Sequence, residues 1–148
     1  MTAEPTTTAA NVQQVVPLLI VKSMELSLAF YEGGLGFTMK KHQTDEGMLH
    51  WCWLQLGAAA VMLQEMKIGY PGRNERLGVG VSMNFVCTDA LLLYRQFRER
   101  GIEARRPFVG NGMWVVSLQD PNGYDLHFES STSVSEGIEY SEAEHGQR

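Results

Sequence analysis

Two cysteines in 148 residues are too few for a disulfide framework, and Cys52 and Cys87 have no CxxC partner, which also excludes a zinc ribbon. Both lie in apolar stretches and read as reduced core thiols. No run of about 18 apolar residues occurs, so there is no candidate for a membrane-spanning helix and no membrane partner is expected. The N-terminal stretch MTAEPTTTAANVQQ lacks both a basic and an apolar region, so a cytoplasmic location is the expectation. Basic residues are scarce: 12 Lys and Arg stand against 17 Asp and Glu, for a net charge of −5. Without a Lys/Arg cluster long enough to track a phosphate backbone, no nucleic-acid partner is expected. Nucleophile motifs such as GxSxG are missing, and the glycines of GVGVS precede no helix, so a phosphate loop finds no support.

What is present suits one domain or two small repeated halves, with 44% hydrophobic residues. The charge is uneven. From Ser131 to Arg148 the chain carries Glu136, Glu139, Glu142 and Glu144 against Arg148, and reads as an acidic, mostly disordered tail. Without it the body is nearly neutral.

Along the body, VVPLLIV (Val15–Val21) is an apolar run of strand length, with Pro17 suggesting an edge or a break in pairing. Ser23 then caps a helix expected over about Met24–Glu32, stopped by Gly33-Gly34. Strands are expected over Phe37–Thr44, His50–Leu56 and Ala59–Met66. After a Gly/Arg/Asn-rich linker the order repeats. Val81–Cys87 reads as a strand, Thr88-Asp89 as an N-cap and ALLLYRQFRERG as an amphipathic helix. Short strands follow at about Glu103, at Met113–Gln119 and at Gly123–Ser130, the last two joined by the turn Asp120-Pro121-Asn122-Gly123. The fold class is therefore α+β, built as two βαβββ modules with curved mixed sheets around a cavity and helices outside. Expected boundaries are a flexible N-terminus over 1–11, modules over 12–68 and 80–130, a linker over 69–79 and the tail over 131–148.

Three pieces, LLIVKSMELSLAFYEGGLGF, NFVCTDALLLYRQFRERGI and DPNGYDLHFES, resemble the vicinal oxygen chelate superfamily, the glyoxalase/bleomycin-resistance/dioxygenase group. With their spacing they cover roughly residues 15 to 130. The resemblance implies paired modules around a shared cavity, commonly in a homodimer. Its metalloenzymes place one ligand on the first and last strand of each module, and those places fall here on Val16, Leu63, Ser82 and His127. Only His127 offers a metal donor, and a one-residue slip would exchange Leu63 for Gln64, still too few for a divalent site. No metal and no cofactor are therefore expected, and DPNG followed by the HF pair is similar to the bleomycin-resistance proteins. That similarity implies a metal-free binder of a mid-sized, partly apolar small molecule, such as an antibiotic or aromatic metabolite. The alternative is a lyase, isomerase or dioxygenase with displaced ligands drawn from His50, Glu65, His127 and Glu129, or one using His127 as a general base.

Alternation along the strands locates the cavity face. In the last strand Tyr124, Leu126 and Phe128 should pack on the helices, while Asp125, His127 and Glu129 face the cavity. Ser82 and Asn84 join that polar row, although each could simply pair across strands. The first module contributes Val16, Leu18 and Ile20 with Val61, Leu63 and Glu65. Trp51 and Trp53 share one face of their strand and, with Trp114, could stack on a planar ligand or pack in the core. The candidate ligand-binding set is thus Trp51, Trp53, Leu63, Glu65, Ser82, Asn84, Trp114, His127 and Glu129. Met48, Met62, Met66 and Met113 are gap-fillers worth locating.

Overall fold

The computed structural model describes residues 7–70 and 74–146. Residues 1–6 of the expected flexible N-terminus, 71–73 of the expected linker and 147–148 of the expected tail lie outside the described residues. After one capped helical turn, α1 (Thr8–Asn11), the chain forms β1 (Leu18–Val21), α2 (Met24–Leu28), β2 (Thr38–Asp45), β3 (Met48–Leu56) and β4 (Ala59–Glu65). It repeats this order with β5 (Ser82–Val86), α3 (Ala90–Glu99), β6 (Phe108–Gly110), β7 (Met113–Gln119) and β8 (Asp125–Ser131). A last turn, α4 (Glu142–His145), follows. Two four-stranded sheets result, ordered β1-β4-β3-β2 and β5-β8-β7-β6, in each of which the first and last strands run parallel. The α+β class and the repeated βαβββ order follow the pattern of the residues.

Local chemistry explains the element ends. Ser23 Oγ accepts from Leu26 N–H at 3.2 Å, and the Glu65 carboxylate accepts from Met24 N–H at 2.7 Å, so two donors at the start of α2 are satisfied. The helix expected to run to Glu32 is α-helical only to Leu28 and continues as a π-helical turn to Gly34. A Cβ at Gly34 would force the end of the Ile102 side chain to move, and Arg100 donates to the Gly34 carbonyl at 3.0 Å. Asp89 caps α3 through Leu92 N–H at 3.0 Å. The short strand expected near Glu103 lies instead at Phe108–Gly110, where Asn111 and Gly112, both at positive φ, make the tight turn into β7.

One face of each sheet packs under the helices. Leu19, Val21, Cys52, Leu54, Val61 and Leu63 supply the first, and Trp114, Val116, Leu118, Leu126 and Phe128 the second. The halves are joined by the β7–β8 turn. Its buried Asp120 accepts from Tyr31 O–H at 2.9 Å, and buried Asn122 accepts from Lys22 N–H at 2.8 Å and donates to Ser27 Oγ at 3.3 Å. Tyr124 O–H reaches the Ile20 carbonyl at 2.9 Å. Burial and the Asp120 carboxylate push the Tyr31 phenol well above its ordinary pKa, keeping it a donor.

The disordered tail is corrected over residues 131–146. Gly137, Ile138 and Tyr140 hydrogen-bond along the free edge of β6, through Gly137 N–H to Val109 O, Val109 N–H to Ile138 O and Tyr140 N–H to Pro107 O. Tyr140 is buried against Tyr94 and Trp114, with ring centroids 5.3 and 6.4 Å away. The acidic groups have partners: Glu136 accepts from the Asn111 and Gly112 amides, and Glu139 pairs with Arg106 at 3.3 Å. An aromatic anchor and local countercharges overcome the composition that suggested disorder.

Candidate functional site

The faces turned away from the helices carry the site. On the second sheet Ser82 stands opposite Asp125, Asn84 opposite His127, and Ser117 opposite His127 from the other side. Because residues opposite one another share a face, Ser82, Asn84, Ser117, His127 and Glu129 converge, and they line a cavity of about 270 Å³ together with Phe108 and Val115. Four of the five polar residues expected from alternation, Ser82, Asn84, His127 and Glu129, are thus brought together. Asp125 belongs to the same row but is engaged. Hydrogen bonds from Gln119 at 2.9 Å and from Arg76 at 2.8 Å, with the Arg76 charge, hold its carboxyl below the usual range.

Asn84 and Ser82 are linked by a hydrogen bond of 3.3 Å. They also border a larger, mostly apolar cavity of about 740 Å³ that reaches across to Pro17, Leu56 and Val61 of the first module and to Val86 and Phe128 of the second. Val15 and Val86 beside it are 87% and 82% exposed, large values for apolar side chains. A polar niche therefore opens beside a greasy one, with β5 as their common wall.

On the first sheet the expected register is off by one residue. Leu18 pairs with Met62 and Ile20 with Gln64, so the open row is Leu18, Ile20, Met62 and Gln64. Leu63 is fully buried in the core, as is Val61, and the Glu65 carboxylate caps α2, so neither Leu63 nor Glu65 belongs to the polar niche or the apolar cavity. The error arose because the β4 segment is apolar on both faces and alternation gives it no phase. Trp51 and Trp53 pair with Gln64 and Met62 and lie half-buried on the open face, with Lys41 Nζ 5.0 Å from the Trp53 ring. Trp114 is corrected to the core: it stands on the opposite face from Met113 and Val115, beneath Tyr140 and His145. Of the methionines, Met62 and Met113 are on open faces, Met66 is buried and Met48 is exposed.

The donor set does not fit a divalent metal. Among the described residues no three His, Cys, Asp or Glu side chains come together. His50 and Glu65 line a separate cavity of about 230 Å³, apart from His127 and Glu129, so the four displaced ligands do not assemble within the chain. Neither cysteine is an activated thiol. Burial pushes Cys52 up to about 11, and burial and nearby Asp89 raise Cys87.

Sequence reading missed Ser117 and Phe108. Counting back from the Asp120–Gly123 turn would have set Ser117 opposite His127, because a tight hairpin fixes register. Phe108 carried no such signal, since its strand was expected elsewhere.

The family model described as the Glyoxalase/Bleomycin resistance protein/Dioxygenase superfamily matches residues 11–128. No curated protein matches the sequence. Among solved structures, a bleomycin-binding protein complexed with bleomycin is 23% identical, with a TM-score of 0.63, covering 82% of this chain and 100% of its own. An antibiotic binding protein from Streptomyces sp. CB03234 is 17% identical, with a TM-score of 0.64 and coverages of 82% and 98%. A glyoxylase/bleomycin resistance protein/dioxygenase domain from Frankia sp. EAN1pec is 14% identical, with a TM-score of 0.66 and coverages of 84% and 96%. At these identities the likeness concerns the fold.

Proposed function

Because this chain belongs to the glyoxalase/bleomycin resistance protein/dioxygenase superfamily, we propose that it is a metal-free binding protein for a mid-sized, partly apolar small molecule, an antibiotic or aromatic metabolite. The observation that carries this reading is the junction of the two cavities at Ser82 and Asn84, one apolar and large, the other small and lined by His127 and Glu129. Burial of ligand surface supplies affinity, and the polar row fixes orientation. On the open row of the first sheet Gln64 is the one N or O donor beside Leu18, Ile20 and Met62, so the module falls one short of the pair of ligands that the metal pattern needs from it. That bleomycin-binding and antibiotic-binding proteins share the fold supports the ligand class.

The active form is a homodimer, in which the open face of β1–β4 in one copy, with Trp51 and Trp53, covers the open face of β5–β8 in the other. Exposed Leu18, Val15 and Val86 support it, and symmetry gives two equivalent sites. The two unpaired cysteines suit a reducing compartment such as the cytoplasm.

Thermal-shift measurement against bleomycin and a panel of aromatic antibiotics tests the reading. A ligand of the native state raises the melting temperature, and a panel that leaves it unmoved overturns the proposal. Elemental analysis of protein purified without chelator should find no bound metal; stoichiometric Ni, Zn, Fe or Mn defeats the metal-free reading. Sedimentation should give twice the mass of one chain.

A further inference from the structure

We infer that Ser117 locks His127 in the tautomer carrying its proton on Nε2, so that the polar niche recognises a ligand through an oxygen acceptor. Ser117 Oγ lies 2.8 Å from His127 Nδ1, the two residues standing directly opposite each other across β7 and β8. Ser117 is only 7% exposed, and its hydroxyl makes no other hydrogen bond among the described residues. If Nδ1 carried the proton and donated to Oγ, the hydroxyl hydrogen would have no protein acceptor among the described residues. The hydroxyl therefore donates, Nδ1 accepts, and a neutral imidazole accepting at Nδ1 holds its hydrogen on Nε2.

The consequence concerns the ligand, and here the inference rests on the binding reading above. His127 Nε2–H has no partner among the described residues, and neither has the Glu129 carboxylate, two positions further along the same face. The niche thus presents one neutral donor and one anionic acceptor roughly 6–7 Å apart along the strand. It suits a molecule with a carbonyl or other uncharged oxygen at one point and a hydrogen-bond donor at the other. Ser117 is a positioning residue: it sets the polarity of His127 without touching the ligand.

Long-range proton–nitrogen NMR of ¹⁵N-labelled protein at a pH where His127 is neutral reads the tautomer directly, with no ligand required. Nε2–H should exceed Nδ1–H by about tenfold or more, since one arrangement leaves the Ser117 hydroxyl without a protein acceptor. Ser117→Ala should reduce that excess to the smaller Nε2–H preference of an unconstrained histidine side chain, and Ser117→Thr should restore it. A dominant Nδ1–H form in the unaltered protein, or an excess untouched in Ser117→Ala, overturns the lock. For the ligand, titration with acetophenone, which offers only an acceptor, should shift the His127 Nε2–H resonance, whereas indole, which offers only a donor, should not. Selection of indole, or no shift with either, overturns the ligand polarity. Because the tautomer is read on the protein alone, these failures are distinct from that of the thermal-shift panel, which would remove the binding reading itself.

Discussion

The first and second modules repeat one strand order, β1-β4-β3-β2 and β5-β8-β7-β6, yet they divide the labour between them. The first presents an open face of Leu18, Ile20, Met62 and two tryptophans; the second presents Ser82, Asn84, Ser117, His127 and Glu129. Their hairpin turns differ as sharply. Gly57-Ala58 between β3 and β4 is exposed, whereas Asp120–Gly123 between β7 and β8 sends two buried polar side chains into the other half. Equal topology thus fixes where a residue stands, and the side chain at that place decides whether it clamps, binds or packs.

Four measurements would break or sharpen this contrast. Asp120→Ala should cost about 4 kcal/mol in urea unfolding, because Tyr31 O–H, two amides and the Asn122 side chain lose their acceptor. Ala58→Ser at the matching turn should change stability by less than about 0.5 kcal/mol, and equal costs would refute the asymmetry. Next, Trp114→Ala should destabilise by about 3 kcal/mol, since it empties a core position. Trp53→Ala on the open face should instead weaken ligand binding by about tenfold, or about 1.4 kcal/mol, read by calorimetry. The third contrast is in alkali. The Cys52 thiol titrates from 9.0 when unfolded to about 11 when folded, so its contribution is complete below pH 9 and lost as pH rises towards 11. Stability measured across that window should fall, and Cys52→Val should flatten the fall more than the same change at Cys87. The smallest effect is at Asp125. Its NMR titration midpoint should lie below the ordinary 3.8 and rise in Arg76→Ala, while stability moves by less than about 0.5 kcal/mol.

Much of this was legible in the sequence because strand alternation has a phase wherever one face is polar. Asp125, His127 and Glu129 alternate with Leu126 and Phe128, and the second-module niche followed from that pattern. The β4 segment, AAVMLQE, is apolar on both sides, so Leu63 and Glu65 were assigned to the wrong face. Trp114 and the tail failed together and for one reason. A tryptophan is placed by what covers it, and its cover, Tyr140 and His145, lay in a segment whose composition argued for disorder. The DPNG turn reads as a hairpin, but the hydrogen bonds that Asn122 accepts from Lys22 N–H and donates to Ser27 Oγ span some hundred residues and leave no local trace.

The segment from Gly137 to Tyr140 is also an intramolecular competitor. Held by a short connection from the end of β8, it meets the edge of β6 at an effective concentration on the order of millimolar. A strand from another molecule would have to exceed that to pair there, so the second sheet is closed to growth in this direction. The corresponding outer strand of the first sheet, β2, has no such occupant among the described residues and carries Lys40, Lys41 and His42 instead. One module guards its outer edge by pairing it; the other does so with charge.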